Sequence, residues 1–331
     1  MKYQVFGIGN ALVDAEFEVS DKFLADHNIE KGLMTLIDEK QEASLVTNLS
    51  NEFGLKKRAG GGSAANTIVS ISQLGGDTFY ACKVAHDESG EFYMNDLAEA
   101  GVATKLDQMK EDGVTGKCLV MVTEDAERTM NTFLGITSDF SIADLHEEEL
   151  KQSEYIYIEG YLVTSDVSRH AAIHARKVAK ENGVKTAITF SDPAMVTYFK
   201  DGITEIIGDG VDVLFSNEEE ALTYTGKDTI EDAIQELSKI TKKLVLTRGD
   251  KGAKIITGDN SVSIDPVKVE AIDTNGAGDM FAGAFMYGLL NGMTDEQSGN
   301  LASESAANIV TVYGARLEKQ KQLDILSKHT A

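Results

Sequence analysis

Residues 273–285 read DTNGAGDMFAGAF and place three small residues, Gly276, Ala277 and Gly278, directly before an acid, Asp279. The apolar run that follows predicts a helix, so the small residues stand at a helix N-terminus. Glycine costs backbone entropy in regular structure, and a cluster of it at a helix start lets a ligand approach the backbone closely. Because amide N–H groups and the helix dipole both favour negative charge there, the stretch predicts an anion-binding turn.

Asp279 would lie beside the bound anion, in the first turn of the helix. A carboxylate at that point can accept the proton of a hydroxyl that attacks phosphorus. The anion turn and Asp279 together predict phosphoryl transfer. A second interpretation stays open, in which Asp279 only complements the helix dipole and the glycines only allow close packing of the helix.

Two motifs upstream of this helix suit a nucleotide and its metal. SNEEEA (216–221) follows an apolar run and places Asn217 and Glu220 three residues apart on a helix, a spacing suited to a hydrated Mg²⁺. The alternative is a Ser216 N-cap followed by acids that complement the dipole. TRGDKG (247–252) predicts a tight turn between two strands, with Thr247, Gly249 and Gly252 placed for nucleotide phosphates.

Two motifs near the N-terminus suit an acceptor molecule. AGGGSAANT (59–67) is a second glycine cluster before a helix, with Ser63 as the expected N-cap and Asn66 in the first turn. GIGNALVD (7–14) follows the first predicted strand, and Leu12 stands where a dinucleotide fingerprint needs glycine, which argues against a Rossmann cofactor site. Asn10 and Asp14 lie just past that strand, where a carboxylate can accept hydrogen bonds from sugar hydroxyls. For both stretches the alternative is an ordinary turn.

The rest of the chain alternates short β-type runs with longer helical ones, which predicts an α/β fold with a mostly parallel sheet. The clearest helix is expected over residues 165–183, which begin with Ser-Asp and end with Asn-Gly. The expected strands are 3–9, 77–84, 154–160, 184–190, 211–217 and 243–247.

Two regions break this alternation. Residues 16–55 and 111–135 contain short strand-like runs (GLMTLID, KCLVMVT and RTMNTFL) with little helical pattern between them. We therefore expect a small β-sheet lid formed by 16–55 and 111–135, inserted into a large domain of residues 1–15, 56–110 and 136–331. Such an insertion can cover a cleft.

Composition limits the classes of partner. The 331 residues carry a formal net charge of -23, which disfavours nucleic acid and anionic membranes. The sequence shows no apolar run of membrane-spanning length and no signal peptide, and we expect a cytoplasmic protein. Two cysteines, Cys82 and Cys118, are too few for a disulfide framework or a zinc site.

The four motifs, in this order and spacing, resemble the ribokinase-like (PfkB) carbohydrate kinase family. DTNGAGD is similar to its C-terminal signature, GGSAANT to its N-terminal glycine motif, SNEEEA to its Asn-x-x-Glu motif and TRGDKG to its nucleotide turn, and the resemblance covers residues 3–316. It implies a three-layer α/β/α fold with a small β lid. It also implies a kinase that uses ATP and Mg²⁺, and it suggests K⁺.

The resemblance assigns a role to each motif. Asp279 would be the general base, and the amides of Gly276, Ala277 and Gly278, with Arg128 from the lid, would stabilise charge on the transferred phosphoryl group. The other implied sites are the acceptor site (Asn10, Asp14, Gly62 and Asn66), the ATP site (Thr247, Gly249, Gly252 and Asn308), the Mg²⁺ site (Asn217 and Glu220, mostly through water) and a K⁺ site (Asp273, Thr274 and the backbone near Gly314).

The acceptor is expected to be a nucleoside. The opening GIGNALVDAEFEV, the Asn in DTNGAGD and an aromatic at Tyr161 resemble the adenosine kinases, where a ring can stack on a purine. Met34 stands where the eukaryotic enzymes place a polar residue beside the purine. The predicted reaction is phosphorylation of the 5′-hydroxyl of a nucleoside, with adenosine as the first candidate. The alternatives are a kinase of ribose, fructose or a keto-sugar acid, and a regulator that binds such a molecule without turnover. A monomer or a homodimer is expected, and the exposed face of a lid sheet is a common pairing surface in such kinases.

Overall fold

The computed structural model describes residues 1–108 and 111–330, and in that part the chain forms an eight-stranded and a five-stranded β-sheet. The strands, in chain order, are β1 (Tyr3–Ile8), β2 (Leu12–Glu18), β3 (Met34–Leu36), β4 (Lys57–Gly61), β5 (Thr78–Ala81), β6 (Gly116–Val122), β7 (Arg128–Phe133), β8 (Ser153–Ile158), β9 (Lys185–Thr189), β10 (Val211–Asn217), β11 (Thr241–Thr247), β12 (Ala253–Thr257) and β13 (Asn260–Ile264).

The α-helices complete the chain between and after these strands. They are α1 (Asp21–Asp26), α2 (Glu39–Glu52), α3 (Ser63–Gln73), α4 (Glu88–Glu99), α5 (Glu147–Leu150), α6 (Asp166–Glu181), α7 (Pro193–Tyr198), α8 (Lys200–Ile207), α9 (Glu218–Thr225), α10 (Ile230–Leu237), α11 (Ala277–Leu290), α12 (Asp295–Ile309) and α13 (Lys319–His329).

The large sheet has the order β13-β12-β11-β10-β9-β8-β1-β5. Its strands are parallel from β5 to β11, and β12 and β13 extend it antiparallel. One face is buried under α3, α4, α11, α12 and α13, and the other under α5 to α10. The predicted three-layer α/β/α fold is confirmed, and each of the six runs predicted as strands overlaps a strand of this sheet.

The small sheet has the order β3-β7-β6-β2-β4. Its two faces differ. Along β6, Leu119 and Met121 join an outer core with α1 and α2, whereas Cys118, Val120 and Val122 face the opposite way, next to Leu12 and Met130. Successive side chains of a strand point to opposite faces, so each face of this sheet is set by alternate residues.

The sequence analysis was wrong about helical content in residues 16–55. Helix α2 runs for 14 residues from Glu39, and its N-terminus is closed by a capping box in which Asp38 and Gln41 bond each other's backbone. Leu45 and Leu49 are buried against the small sheet.

The division into two domains stays a prediction, because the strands do not follow its boundaries. Strand β2 begins at Leu12, before residue 16, and β4 belongs to the small sheet although it lies in the range 56–110. Residues 109–110 and 331, which that division includes, lie outside the described residues. Across residues 1–108 and 111–330, the helices fall short of the length and apolar character needed to cross a bilayer. The cytoplasmic location stays a prediction.

Candidate active site

The predicted anion turn is formed by Gly276 and the start of α11. Gly276 is in the left-handed conformation with φ 73°, and a Cβ there would lie 2.5 Å from the Cα of Ala315, so only glycine fits. The Ala277 amide donates to the Thr274 carbonyl at 3.3 Å, so this amide is partly engaged. A Cβ at Gly278 would meet open space. The first turn of α11 is therefore open to a ligand at Gly278.

Asp279 lies two residues into α11, where two donors from α3 hold its carboxylate. Ser63 Oγ donates to Oδ1 at 2.6 Å, and Asn66 Nδ2 donates to Oδ2 at 3.0 Å. Burial raises the pKa of Asp279 above its ordinary value, although these two hydrogen bonds and the charges of Arg128 and Arg316 act in the opposite direction. A raised pKa suits a carboxylate that must accept a proton near neutral pH.

Ser63 does not have the predicted role. The N-cap of α3 is Gly62, with φ 93°, and Ser63 is the first helical residue. Its hydroxyl donates to Asp279 rather than capping the helix. Sequence reasoning assigned Ser63 from the usual preference of serine for N-caps, and the contact with α11 depends on residues 216 positions apart.

A pocket lies in front of Asp279, between the anion turn and the small sheet. It contains about 760 Å³ of space between atoms, including the part open to solvent. Its apolar lining comes mainly from the small sheet, and its polar lining comes from both the small sheet and the loops and helices around the large sheet. The predicted residues that line it are Asn10, Asp14, Met34, Gly62, Asn66, Arg128, Tyr161, Thr274, Gly276, Ala277, Gly278 and Asp279.

The polar residues predicted to hold the acceptor are partly engaged within the protein. The Asn10 carbonyl accepts from the Tyr80 hydroxyl at 3.0 Å, and the Tyr161 hydroxyl donates to Asp192 at 3.3 Å. Asp14 is buried, which together with the charge of Glu16 raises its pKa well above the ordinary value. Acceptor hydroxyls that donate hydrogen bonds to the Asp14 carboxylate would offset the effect of burial and lower its pKa.

Arg316 is a residue that the sequence analysis missed. Its Nε donates to Asn66 Oδ1 at 2.9 Å, and its Nη1 donates to Asp96. Since Asn66 accepts from Arg316 through oxygen, its amide nitrogen is turned toward Asp279. A chain of contacts therefore runs from Asp96 through Arg316 and Asn66 to Asp279.

Glu159 was also missed. It is fully buried at the end of β8, where its carboxylate accepts from the Asn10 amide at 3.2 Å and the Ala64 amide at 2.7 Å. Burial raises the pKa of Glu159 to about 8. It ties the loop after β1 to the first turn of α3, and it lines the pocket. Its position directly after the apolar run YIYI is the same signal that identified Asn10 and Asp14.

The predicted nucleotide residues lie outside this pocket. TRGDKG is the predicted tight turn between β11 and β12, closed by a bond from the Arg248 amide to the Gly252 carbonyl at 2.8 Å. Asn308 is in α12, where its side-chain Nδ2 donates to the Glu304 backbone carbonyl at 2.8 Å. The ATP-binding roles of Thr247, Gly249, Gly252 and Asn308 stay predictions.

Asn217 and Glu220 form a capping box rather than an open pair of ligands. Asn217 Oδ1 accepts from the Glu220 amide at 2.7 Å, and Glu220 Oε2 accepts from the Asn217 amide at 2.9 Å. Asn217, and not Ser216, is therefore the N-cap of α9. Burial raises the pKa of Glu220 to about 7. Among the described residues no cluster of three or more His, Cys, Asp or Glu side chains could hold a metal. An Mg²⁺ at Asn217 and Glu220 would have to keep most of its water, and this role stays a prediction.

Comparisons with known proteins agree over nearly the whole chain. A family model described as pfkB family carbohydrate kinase matches residues 33–322. The adenosine kinase of Saccharomyces cerevisiae is 28% identical over 95% of this chain and 96% of its own length. The solved adenosine kinase from Sinorhizobium meliloti is 32% identical with a TM-score of 0.93, covering 99% of each chain. A probable sugar kinase from Rhizobium etli CFN 42 has the same TM-score at 29% identity, covering 99% of this chain and 98% of its own.

Proposed function

This chain belongs to the pfkB family of carbohydrate kinases, and on that premise we propose that it phosphorylates the primary 5′-hydroxyl of a nucleoside, with adenosine as its preferred acceptor. Membership makes it an ATP-dependent phosphotransferase that acts on a hydroxyl group, and it implies the use of Mg²⁺. The observation that carries the proposal is the position of Asp279 and the anion turn at one pocket.

The proposed reaction begins when the Asp279 carboxylate accepts the proton of the acceptor hydroxyl. The hydroxyl oxygen then forms a bond to the γ-phosphorus of ATP while the bond from that phosphorus to the β-γ bridging oxygen breaks, and ADP leaves. Negative charge on the transferred group is stabilised by the start of α11 and by the Arg128 guanidinium. Bound Mg²⁺ would neutralise phosphate charge, and Glu220 would hold one of its waters.

Adenosine is proposed because one side of the pocket is apolar. Met34, Leu36, Met130 and Leu134 line it, and Tyr161 adds an aromatic ring. A purine buries more apolar surface than a sugar and can stack on a ring, so such a wall would stabilise a nucleoside more than a free sugar. The relatives named adenosine kinases support this acceptor.

A sugar kinase is the second candidate. The probable sugar kinase from Rhizobium etli has the same TM-score as the adenosine kinase from Sinorhizobium meliloti. Asn10, Asp14 and Asn66 would contact sugar hydroxyls in either case, so the polar part of the pocket does not separate the two.

A coupled assay of ADP release tests the proposal. We would compare kcat/KM for adenosine, inosine, guanosine, ribose, fructose and 2-keto-3-deoxygluconate with ATP and Mg²⁺, and the Asp279→Asn protein purified in the same way would measure contaminating kinase. Adenosine should have the highest value, and Met34→Ala should lower it for adenosine more than for ribose. If a free sugar has a higher kcat/KM than every nucleoside, that sugar would take the place of adenosine as the proposed acceptor. The absence of turnover with all acceptors would contradict the proposed reaction.

A further inference from the structure

Three buried carboxylates lie at the pocket or next to it, and one of them, Asp14, is part of its lining. Asp14 and Glu16 are 7% and 2% exposed on β2, and Asp273 is fully buried just before the anion turn. Glu16 Oε1 accepts from the Asn275 side chain at 3.2 Å, which joins β2 to that turn. Carboxylates so close and so buried repel one another unless a positive charge lies near them.

Lys57 brings such a charge. It lies on β4 directly opposite Glu16 on β2, and its Nζ donates to the Tyr313 carbonyl at 2.9 Å. A Cβ on Gly314 would lie 2.6 Å from that nitrogen, so the backbone at residues 313–314 packs closely against the ammonium group. The charge of Lys57 lowers the pKa of both Glu16 and Asp273, against the larger effect of burial.

The segment that receives Lys57 supports the anion turn. The Gly314 amide donates to Asp273 Oδ2 at 3.0 Å, and the Asn275 amide donates to Oδ1 at 2.8 Å. The next residue, Ala315, is the one that packs against Gly276. Lys57 is therefore linked through the 313–315 backbone to the loop that places α11.

The K⁺ site predicted at Asp273, Thr274 and the backbone near Gly314 does not fit these contacts. Each Asp273 oxygen already accepts one N–H group, and the Gly314 amide is one of these two donors. The Thr274 hydroxyl donates to the Ala126 carbonyl at 3.1 Å, and the neighbouring Tyr313 carbonyl accepts from Lys57. K⁺ would need several oxygen ligands around it, and here an ammonium group of the chain already binds the Tyr313 carbonyl.

We propose that Lys57 is a positioning residue that supplies, from within the chain, the positive charge that holds the 313–315 segment and the anion turn in place, so that turnover is independent of added monovalent cations. This rests on the kinase activity proposed above and not on the choice of acceptor. Removing the ammonium group should leave a gap beside carbonyl and carboxylate oxygens that a free cation can enter.

The first test compares the wild-type protein with Lys57→Ala in K⁺, NH₄⁺ and tetramethylammonium salts at equal ionic strength. Wild-type turnover should be the same in all three. Lys57→Ala should lose about tenfold or more in kcat in tetramethylammonium, as expected for one charged hydrogen bond, and should regain activity in K⁺ or NH₄⁺. Lys57→Arg, which keeps the charge, should stay independent of cations.

Thermal unfolding gives a second measurement that needs no turnover. The Tm of Lys57→Ala should rise when K⁺ replaces tetramethylammonium, whereas the wild-type Tm should not. The matched control is Lys56→Ala, since Lys56 is exposed, pairs with Glu18 at 2.8 Å and lies over the ring of Tyr313 rather than at its carbonyl. If Lys57→Ala does not fold, Lys57→Met keeps most of the apolar stem and replaces it in both measurements.

Three results would overturn the proposal. The first is a wild-type protein whose turnover requires K⁺, and the second is a Lys57→Ala protein with full turnover in tetramethylammonium. The third is a Lys57→Ala protein whose lost turnover is restored by neither K⁺ nor NH₄⁺ and whose Tm is raised by neither. A protein without turnover on any acceptor would contradict the proposed function instead, and the Tm comparison would still test Lys57.

Discussion

Asp279 receives both of its side-chain hydrogen bonds from α3, through Ser63 and Asn66. The carboxylate is therefore oriented before an acceptor enters the pocket. Preorganised groups of this kind cost no reorganisation at the moment of reaction. The chemistry at residue 279 thus depends on the contact between α3 and α11 as well as on the residue itself.

Asp279→Asn should lower kcat by about 10²-fold or more, the usual contribution of a general base, while the affinity for the acceptor changes little. An amide has the shape of the carboxylate but cannot take the proton. Turnover would be measured by ADP release and acceptor affinity by calorimetry. Near wild-type turnover with unchanged affinity would remove Asp279 from its assigned role.

Arg316→Gln should shift the acid side of the pH profile of kcat to higher pH. The positive charge of Arg316 lowers the pKa of Asp279, so its loss raises that pKa further. The base must be ionised to act, and activity is lost as the pH falls through its pKa, so a higher pKa moves that loss upward.

Arg58→Gln is the matched control for this prediction, because Arg58 pairs with Glu88 on the surface at 2.7 Å and does not contact Asn66. Its pH profile should match the wild type. An Arg316→Gln profile that keeps the wild-type acid limb, with only kcat lowered, would show that Arg316 acts on packing and not on the charge of Asp279.

Motifs that carry their own chemistry led to residues that the fold brings together, and their roles stay predictions. Asp279, Asn66 and Asp14 belong to such motifs, and they line one pocket. Arg316 has no comparable signal, since its contact with Asn66 spans 250 residues. Glu159 and the N-cap at Asn217 did have signals, a polar residue after a strand and an Asn followed three residues later by Glu.

Helix α2 is an element that the sequence analysis missed. Its capping pair, Asp38 and Gln41, was present in the sequence. Its apolar stripe is short, because Leu45 and Leu49 are the apolar side chains of α2 that are well buried. Periodicity alone therefore did not separate α2 from a loop. Strand β4, KRAGG, was unpredictable for another reason, since glycine and lysine are poor strand formers and pairing with β2 decides its structure.

Leu49→Ala should lower the free energy of unfolding by about 2–5 kcal/mol, the usual cost of a cavity at a fully buried leucine. Urea unfolding followed by circular dichroism would measure it. Ser50→Ala, one residue along on the exposed side of α2, should change stability by less than about 0.5 kcal/mol. Equal effects at the two positions would mean that α2 does not pack on the small sheet as described.

Helix α2 also bears on self-association. The outer face of the small sheet, which the sequence analysis offered as a pairing surface, is covered by α1 and α2 of the same chain. A homodimer would therefore have to use another surface. Whether the protein is a monomer or a homodimer stays a prediction.

In the whole molecule, the pocket lies between the small sheet on one side and the loops and helices around the large sheet on the other. The small sheet supplies the apolar wall and Arg128, and helix α11, which packs on the large sheet, supplies Asp279. An acceptor held between them would favour approach of the small sheet, which is the closure that the lid hypothesis predicts.

Hydrogen exchange tests this closure. Residues 16–55 and 111–135 should exchange more slowly when adenosine is bound, because closure removes solvent from one face of the small sheet. The surface helix α8 is the internal reference and should not change. Unaltered exchange in both segments at saturating acceptor would show that the small sheet is fixed.

The alternation along β6 means that mutations one codon apart act on different properties of the protein. Leu119 and Met121 face the core shared with α1 and α2, so a substitution there changes the packing of that core. Cys118 lines the pocket, and Val120 lies on the same face of the strand. A substitution at Cys118 therefore alters the lining of the pocket, whereas one at the next codon, Leu119, alters the layer behind the sheet.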